Sequence, residues 1–114
     1  MKMEGEFFKI NFDHETNTIF FEGSLRLWDP TEYQKIKQFM LDVHDLNIKE
    51  LTLNYVNLEF MNSFGISILC KFILEIKPMN KVALTVVGNK DILWQKKSFE
   101  NLKKLWDQIT VTSE

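Results

Sequence analysis

Leu51-Thr52-Leu53-Asn54-Tyr55-Val56-Asn57-Leu58-Glu59-Phe60-Met61-Asn62-Ser63-Phe64-Gly65-Ile66 changes its hydrophobic period partway along. Leu51, Leu53 and Tyr55 alternate as one face of a strand over Leu51 to Val56. Asn57 to Phe60 then lead to a junction, and from Ile66 the apolar spacing is helical. Asn62 and Ser63 are both residue types favoured at helix N-caps. A hydroxyl at such a junction lies beside backbone N–H groups without intrahelical acceptors, where the helix dipole favours negative charge. A phosphate on Ser63 would be hydrogen-bonded there, which makes the junction a place for a switch. Gly65 in the first helical turn carries a propensity cost of up to ~1 kcal/mol relative to Ala. Close approach by another backbone would account for it.

Upstream, Phe7 to Phe12 and Thr18 to Leu27 read as strands joined by the polar turn Asp13-His14-Glu15-Thr16-Asn17, hence an antiparallel hairpin. Trp28-Asp29-Pro30 announces a helix: Asp29 suits the cap, Pro30 the first turn, and Tyr33, Ile36, Met40 and Val43 recur at helical spacing up to Leu46-Asn47. Downstream, the helix that starts at the junction stops before Pro78. Lys81 to Val87 is a strand broken by Gly88-Asn89. Asp91 begins a third helix carrying Phe99, Leu102 and Trp106, and Ile109 to Thr112 closes the chain as a strand. The order is β-β-α-β-α-β-α-β, and right-handed crossovers would set the strands after the hairpin parallel in one mixed α/β sheet.

The chain has 114 residues, 45% hydrophobic and 26% charged, which suits one domain over residues 1–114 with its own core. Its 14 Lys plus Arg against 16 Asp plus Glu leave a net charge of −2, so nucleic acid and anionic membranes are not the indicated partners. No apolar run is long enough to span a bilayer and the N-terminus lacks a signal-peptide pattern, so a cytoplasmic protein is expected. Cys70, among Leu69, Phe72 and Ile73, reads as a small buried hydrophobe.

With the junction in place, the sixteen-residue run is similar to the signature of STAS domains of the bacterial anti-sigma-factor antagonist type. There an apolar strand and a short loop lead to Asp-Ser-Ser-Gly and an apolar helix. The element order agrees over nearly the whole chain, and the family places its helices mainly on one side of the sheet. In the family the first serine is phosphorylated by a partner kinase, and Ser63 occupies that position, within a switch loop of Met61, Asn62, Ser63, Phe64 and Gly65. Glu22-Gly23-Ser24-Leu25 resembles, more loosely, the family's Gly-Glu-Leu-Asp segment, with Ser24 and Arg26 in place of both acidic residues. Asn62 stands where the family has Asp, and Phe64 where it has the second serine. Asn62 keeps the capping ability of Asp while removing a charge that would repel a phosphate on Ser63.

The resemblance implies a phosphorylation-controlled interaction module in a bacterial partner-switching pathway. Unmodified, it would bind a serine kinase that is also an anti-sigma factor; phosphorylation would break the complex and a PP2C-type phosphatase would restore binding. The alternative is a STAS scaffold or small-ligand sensor that is never phosphorylated, in which Asn62 and Ser63 only start a helix.

The helix after the junction is apolar on two sides. Ile66, Leu69, Cys70, Ile73 and Ile76 form one stripe for the sheet, while Phe64, Ile68 and Phe72 form another among Lys71 and Glu75. Phe64 and Ile68 are therefore the expected partner-binding residues, exposed beside Ser63, while Phe72 is equally suited to a neighbouring helix. Lys90, Lys96, Lys97, Lys103 and Lys104 read as a solvated helix face, and Trp94 as a core anchor. His14 reads as a turn residue, and His44 as a solvent-facing residue at a helix C-terminus. With two histidines, one cysteine and no phosphate-binding glycine loop, no catalytic residue, metal site or cofactor is indicated and an autonomous enzyme is not expected.

Overall fold

The computed structural model describes residues 1–114. Its strands are β1 (Lys2–Glu4), β2 (Phe8–Asp13), β3 (Thr18–Leu25), β4 (Glu50–Met61), β5 (Ala83–Gly88) and β6 (Thr110–Ser113), side by side in chain order in one sheet. β1, β2 and β3 pair antiparallel; β3 to β6 pair parallel. The crossovers are α1 (Pro30–His44), α2 (Ser63–Ile76) with a 3-10 turn at Lys77–Met79, and α3 (Leu93–Glu100) followed by α4 (Leu102–Leu105). Sequential parallel strands with same-handed crossovers put the helices on one face. The burial alternation agrees: Ile19, Phe21, Leu51, Leu53, Tyr55, Leu84 and Val86 point into one core, while Thr52, Asn54 and Thr85 are only half-buried.

The hairpin forms as expected. Asp13 accepts from the Glu15 N–H at 3.0 Å and the Thr16 hydroxyl at 2.9 Å, and Asn17 turns the chain at φ 50°. Gly23, at φ 90°, lets the Phe7 carbonyl approach and accept from the Ser24 N–H at 2.8 Å; a Cβ there would collide with that carbonyl oxygen. Three elements differ from the sequence reading. β1 is an additional strand, too short to show alternation. The third helix is two, parted at Asn101, whose side-chain amide donates to the Lys97 carbonyl at 3.1 Å; Phe99, Leu102 and Trp106 are nevertheless buried as expected. The largest difference is β4, which does not stop at Val56.

β4 runs to Met61 because it carries two bulges. Its register with β3 slips by one residue between Asn54 and Asn57 and again between Leu58 and Phe60. Each extra residue restores the inward face, so Leu51, Leu53, Tyr55, Leu58 and Met61 are all buried although the last two steps span three residues instead of two. Beyond Asn54 the strand also outruns β5, which leaves backbone carbonyls on that edge to be satisfied otherwise. Side chains do it. Gln95 Nε2 donates to the carbonyls of Tyr55 (2.7 Å) and Leu58 (2.8 Å), Asn89 Nδ2 to Val56 (3.0 Å), and Trp94 Nε1 to Glu59 (2.9 Å). Trp94 is thus half-buried, pinned to the strand edge and set edge-on to Phe99.

α2 is apolar on two sides because it is covered on two sides. Phe72, with no exposed surface, faces α1 and sits edge-on to His44. Cys70 is half-buried, and burial raises its thiol pKa. His44 overturns its expectation: it is 0% exposed, and neither ring nitrogen has a hydrogen-bond partner, Asp45 Oδ1 lying 3.6 Å from Nδ1. Burial, then the Lys81 charge, lowers its pKa from 6.5, with Asp45 opposing. The unfolded chain therefore takes up a proton at His44 before the folded one does. Stability at this site is complete above the unfolded pKa of about 6.5 and is lost as pH falls below it, by up to ~1.4 kcal/mol per pH unit. Urea midpoints at pH 7.5 and pH 5 are expected to differ for this reason, and His44→Leu is expected to remove most of the difference; an equal drop in the variant would exclude His44 as its source.

Candidate functional site

The strand-to-helix junction is a single residue. β4 delivers the chain to Met61, buried in the core, and α2 begins at Ser63. Asn62 alone links them in an extended conformation (φ −78°, ψ 176°). The expected switch loop of Met61 to Gly65 is therefore no loop: the bulges keep Met61 in the sheet, and Ser63, Phe64 and Gly65 form the first turn of α2. Ser63 is the first helical residue and is exposed.

The Asn62 carboxamide makes three hydrogen bonds to three segments. Oδ1 accepts from the Gly65 N–H at 3.1 Å and from the Tyr33 hydroxyl of α1, and Nδ2 donates to the Leu27 carbonyl at 3.0 Å. The Asn62 N–H adds a 3.3 Å bond to the Leu25 carbonyl. Two donors face Oδ1 and one acceptor faces Nδ2, so an amide fits this site and a carboxylate does not: aspartate has nothing to donate to Leu27. Burial raises the Tyr33 pKa, against hydrogen bonds with Leu27 and Asn62 that lower it, so the phenol keeps its proton at neutral pH and acts as donor. At the start of α2 the Gly65 N–H is taken by Asn62 Oδ1 and that of Ile66 by the Asn62 carbonyl at 3.2 Å. Those of Ser63 and Phe64 precede the ladder.

Gly65 is explained by Met61. A Cβ on Gly65 would run into the Met61 side chain, so the close neighbour is a side chain folded back from the end of β4, not another backbone. Of the two expected partner-binding residues, Phe64 is 55% exposed and stands beside Ser63, its ring 6.2 Å from that of Tyr33. Ile68 is not on the surface. At 6% exposure it floors a groove between α1 and α2, because Tyr33 packs over it from α1. Trp28, Pro30, Phe64 and Lys71 also line this groove.

The structure adds residues that the sequence reading did not assign to the site. Trp28 is 79% exposed; with Phe7, Phe60 and Phe64 it completes the set of exposed aromatics. All four lie at one end of the sheet, which the pairings Phe8 with Gly23 and Leu25 with Met61 identify as the end where β3 and β4 terminate. The Arg26 guanidinium lies 4.5 Å from the Phe60 ring centroid. The other exposed large side chains, Met1, Leu46, Leu74, Met79 and Leu93, are aliphatic. The one signal for Trp28 was its place directly before the Asp29 cap; Tyr33 was assigned only to the core stripe of α1.

The mixed six-stranded sheet with its helices on one face is a STAS-like α/β fold. Among solved structures, the chain matches SiaC, in the crystal structure of diguanylate cyclase SiaD in complex with its activator SiaC from Pseudomonas aeruginosa. The TM-score is 0.73 at 10% sequence identity, over 100% of this chain and 99% of that one. No protein-family model and no curated protein matches the sequence. At so low an identity the likeness speaks for the fold. No helix is long and apolar enough to cross a membrane.

Proposed function

We propose that this chain is a protein-interaction module of a bacterial partner-switching pathway, controlled by phosphorylation of Ser63. The observation that carries this reading is the gathering of every exposed aromatic side chain, Phe7, Trp28, Phe60 and Phe64, at the end of the sheet where the Ser63 hydroxyl is exposed. Exposed aromatics concentrated in one place supply most of the energy of protein interfaces. A phosphoserine among them adds about −1.5 to −2 charges that docking would have to desolvate. The partner of the unmodified form is a serine kinase of the anti-sigma-factor kind, which supplies the catalytic base and ATP site; a PP2C-type phosphatase returns the module to its binding state. The chain itself is substrate and ligand, not enzyme. The description of SiaC as an activator in complex with a cyclase is in keeping with such a module acting through a bound protein.

Incubation with a kinase encoded beside this gene and ATP is expected to place one phosphate on Ser63, read by intact mass and lost in Ser63→Ala. Against the same partner, Ser63→Ala is expected to keep its affinity and Ser63→Asp to lose at least about tenfold. Equal binding by both variants removes the switch. The three hydrogen bonds that the Asn62 side chain already makes favour a second reading, a STAS scaffold in which the junction only starts a helix; an active kinase that leaves Ser63 unmarked would select it.

A further inference from the structure

β6 is an edge strand, paired with β5 on one side and with nothing on the other. Its register decides which backbone groups are free. The Glu114 N–H donates to the Gly88 carbonyl at 2.9 Å and the Glu114 carbonyl accepts from the Lys90 N–H at 3.0 Å, so Glu114 faces β5. Successive residues of a strand turn their N–H and C=O to opposite sides. Thr110 and Thr112 therefore also face β5, and Val111 and Ser113 present theirs outward. Sheet edges are commonly guarded by charge, proline or a bulge. β1, at the other edge, carries Lys2 and Glu4 in its three residues; β6 is Thr-Val-Thr-Ser, uncharged and β-branched at three of its four positions.

A cleft lies beside this edge. Trp94 and Gln95 tie α3 to β4, two strands in, and a space of about 270 Å³ is left between α3 and β6. Phe99 and Val111 form its apolar part, with Lys90, Lys96, Glu100 and Ser113 around them. Neither lysine is ion-paired within the chain, so the lining offers two positive charges against one negative. Side chains two residues apart on a strand laid along β6 would point to the face on which Val111 packs against the core, and that is the face of the cleft.

We propose that the outer edge of β6 takes an extended segment of a partner protein as a seventh strand, with an apolar side chain against Phe99 and Val111 and a carboxylate two residues along facing Lys96. Main-chain hydrogen bonds to Val111 and Ser113 hold the segment, and the cleft selects its side chains. A second copy of the chain is the poorer occupant, since its β6 would bring valine and serine to that face and no carboxylate. The surface does not include Ser63, so it stands or falls independently of the switch.

The test titrates the full chain with the blocked peptide Ser-Thr-Val-Thr-Asp-Thr-Ser, which sets valine and aspartate on one face, and with a twin carrying lysine for aspartate, followed by NMR. The amide protons of Val111 and Ser113 are expected to move downfield and to exchange more slowly with solvent, while those of Thr110 and Thr112, already bonded to β5, keep their exchange rates. The lysine twin is expected to bind at least about threefold more weakly, and Lys96→Glu to reverse that preference. Ser113→Pro keeps every donor that faces β5 and removes an outward one, so it should weaken the aspartate peptide about fivefold; should it fail to fold, the exposed Lys96→Glu carries the test. Unchanged Val111 and Ser113 amides at millimolar peptide, or equal binding of the two peptides by the unaltered chain, overturns the assignment. So does a dimer in sedimentation that Ser113→Pro dissociates, because the edge then belongs to a second copy.

Discussion

Gln95→Leu is expected to destabilise the fold by about 3 kcal/mol, because one buried amide satisfies three backbone groups and leucine satisfies none. Gln95 is 1% exposed; it donates to the carbonyls of Tyr55 and Leu58 and accepts from the Asn89 N–H at 2.6 Å. Leucine fills much of the same space, so the loss is one of polar satisfaction more than of packing. The variant should unfold in urea at a lower midpoint with an unchanged slope, and melt roughly 10–15 °C lower. A loss below about 1 kcal/mol would mean that water reaches the bulged edge of β4 and replaces the amide. Gln95→Glu gives a second check. A carboxylate facing two carbonyls has its pKa raised by burial, so this variant is expected to be least impaired below the unfolded pKa of about 4.3 and to lose further stability as pH rises through the folded value.

Asn62→Ala is expected to cost about 2–3 kcal/mol, more than the ~1 kcal/mol typical of a helix cap alone. The excess comes from the Tyr33 hydroxyl, which loses its acceptor, and from the Leu27 carbonyl, which loses its donor. A double-mutant cycle with Tyr33→Phe isolates the first of these: the two losses should fall short of additive by about 1 kcal/mol. Asn62→Asp should cost less, since Gly65 and Tyr33 keep their acceptor and a carboxylate at a helix start gains roughly 0.3–1 kcal/mol from the dipole. If Asn62→Ala costs no more than a cap and couples to nothing, the amide is not a tie between the β3–α1 connection, α1 and α2.

The distance between the sequence reading and the structure is greatest where periodicity is broken by pairing. Phe8 to Phe12, Leu51 to Tyr55 and the α1 stripe of Tyr33, Ile36, Met40 and Val43 announce their faces through local spacing, and each is buried as that spacing implies. The second half of β4 does not, because its inward residues fall three apart at the bulges, and a bulge exists only in relation to the neighbouring strand. Asn62 and Ser63 were legible as a helix start. The partners of Asn62 were not, since Leu27 and Tyr33 lie 35 and 29 residues away.

Ile68, Phe72 and His44 mark the same boundary. Spacing along α2 shows that two of its sides are apolar, but whether the second side meets solvent or another helix depends on where α1 lands, and α1 lands on it. His44, at the last turn of α1, was expected in solvent and is sealed against Phe72 for that reason. Local order along the chain thus established the element types and the serine at the head of the apolar helix, because these depend on neighbours a few residues apart. Which side chains are covered, which amide bridges three segments, and which aromatics share one end of the sheet were set by contacts between distant segments, and such contacts leave no periodic trace in the chain.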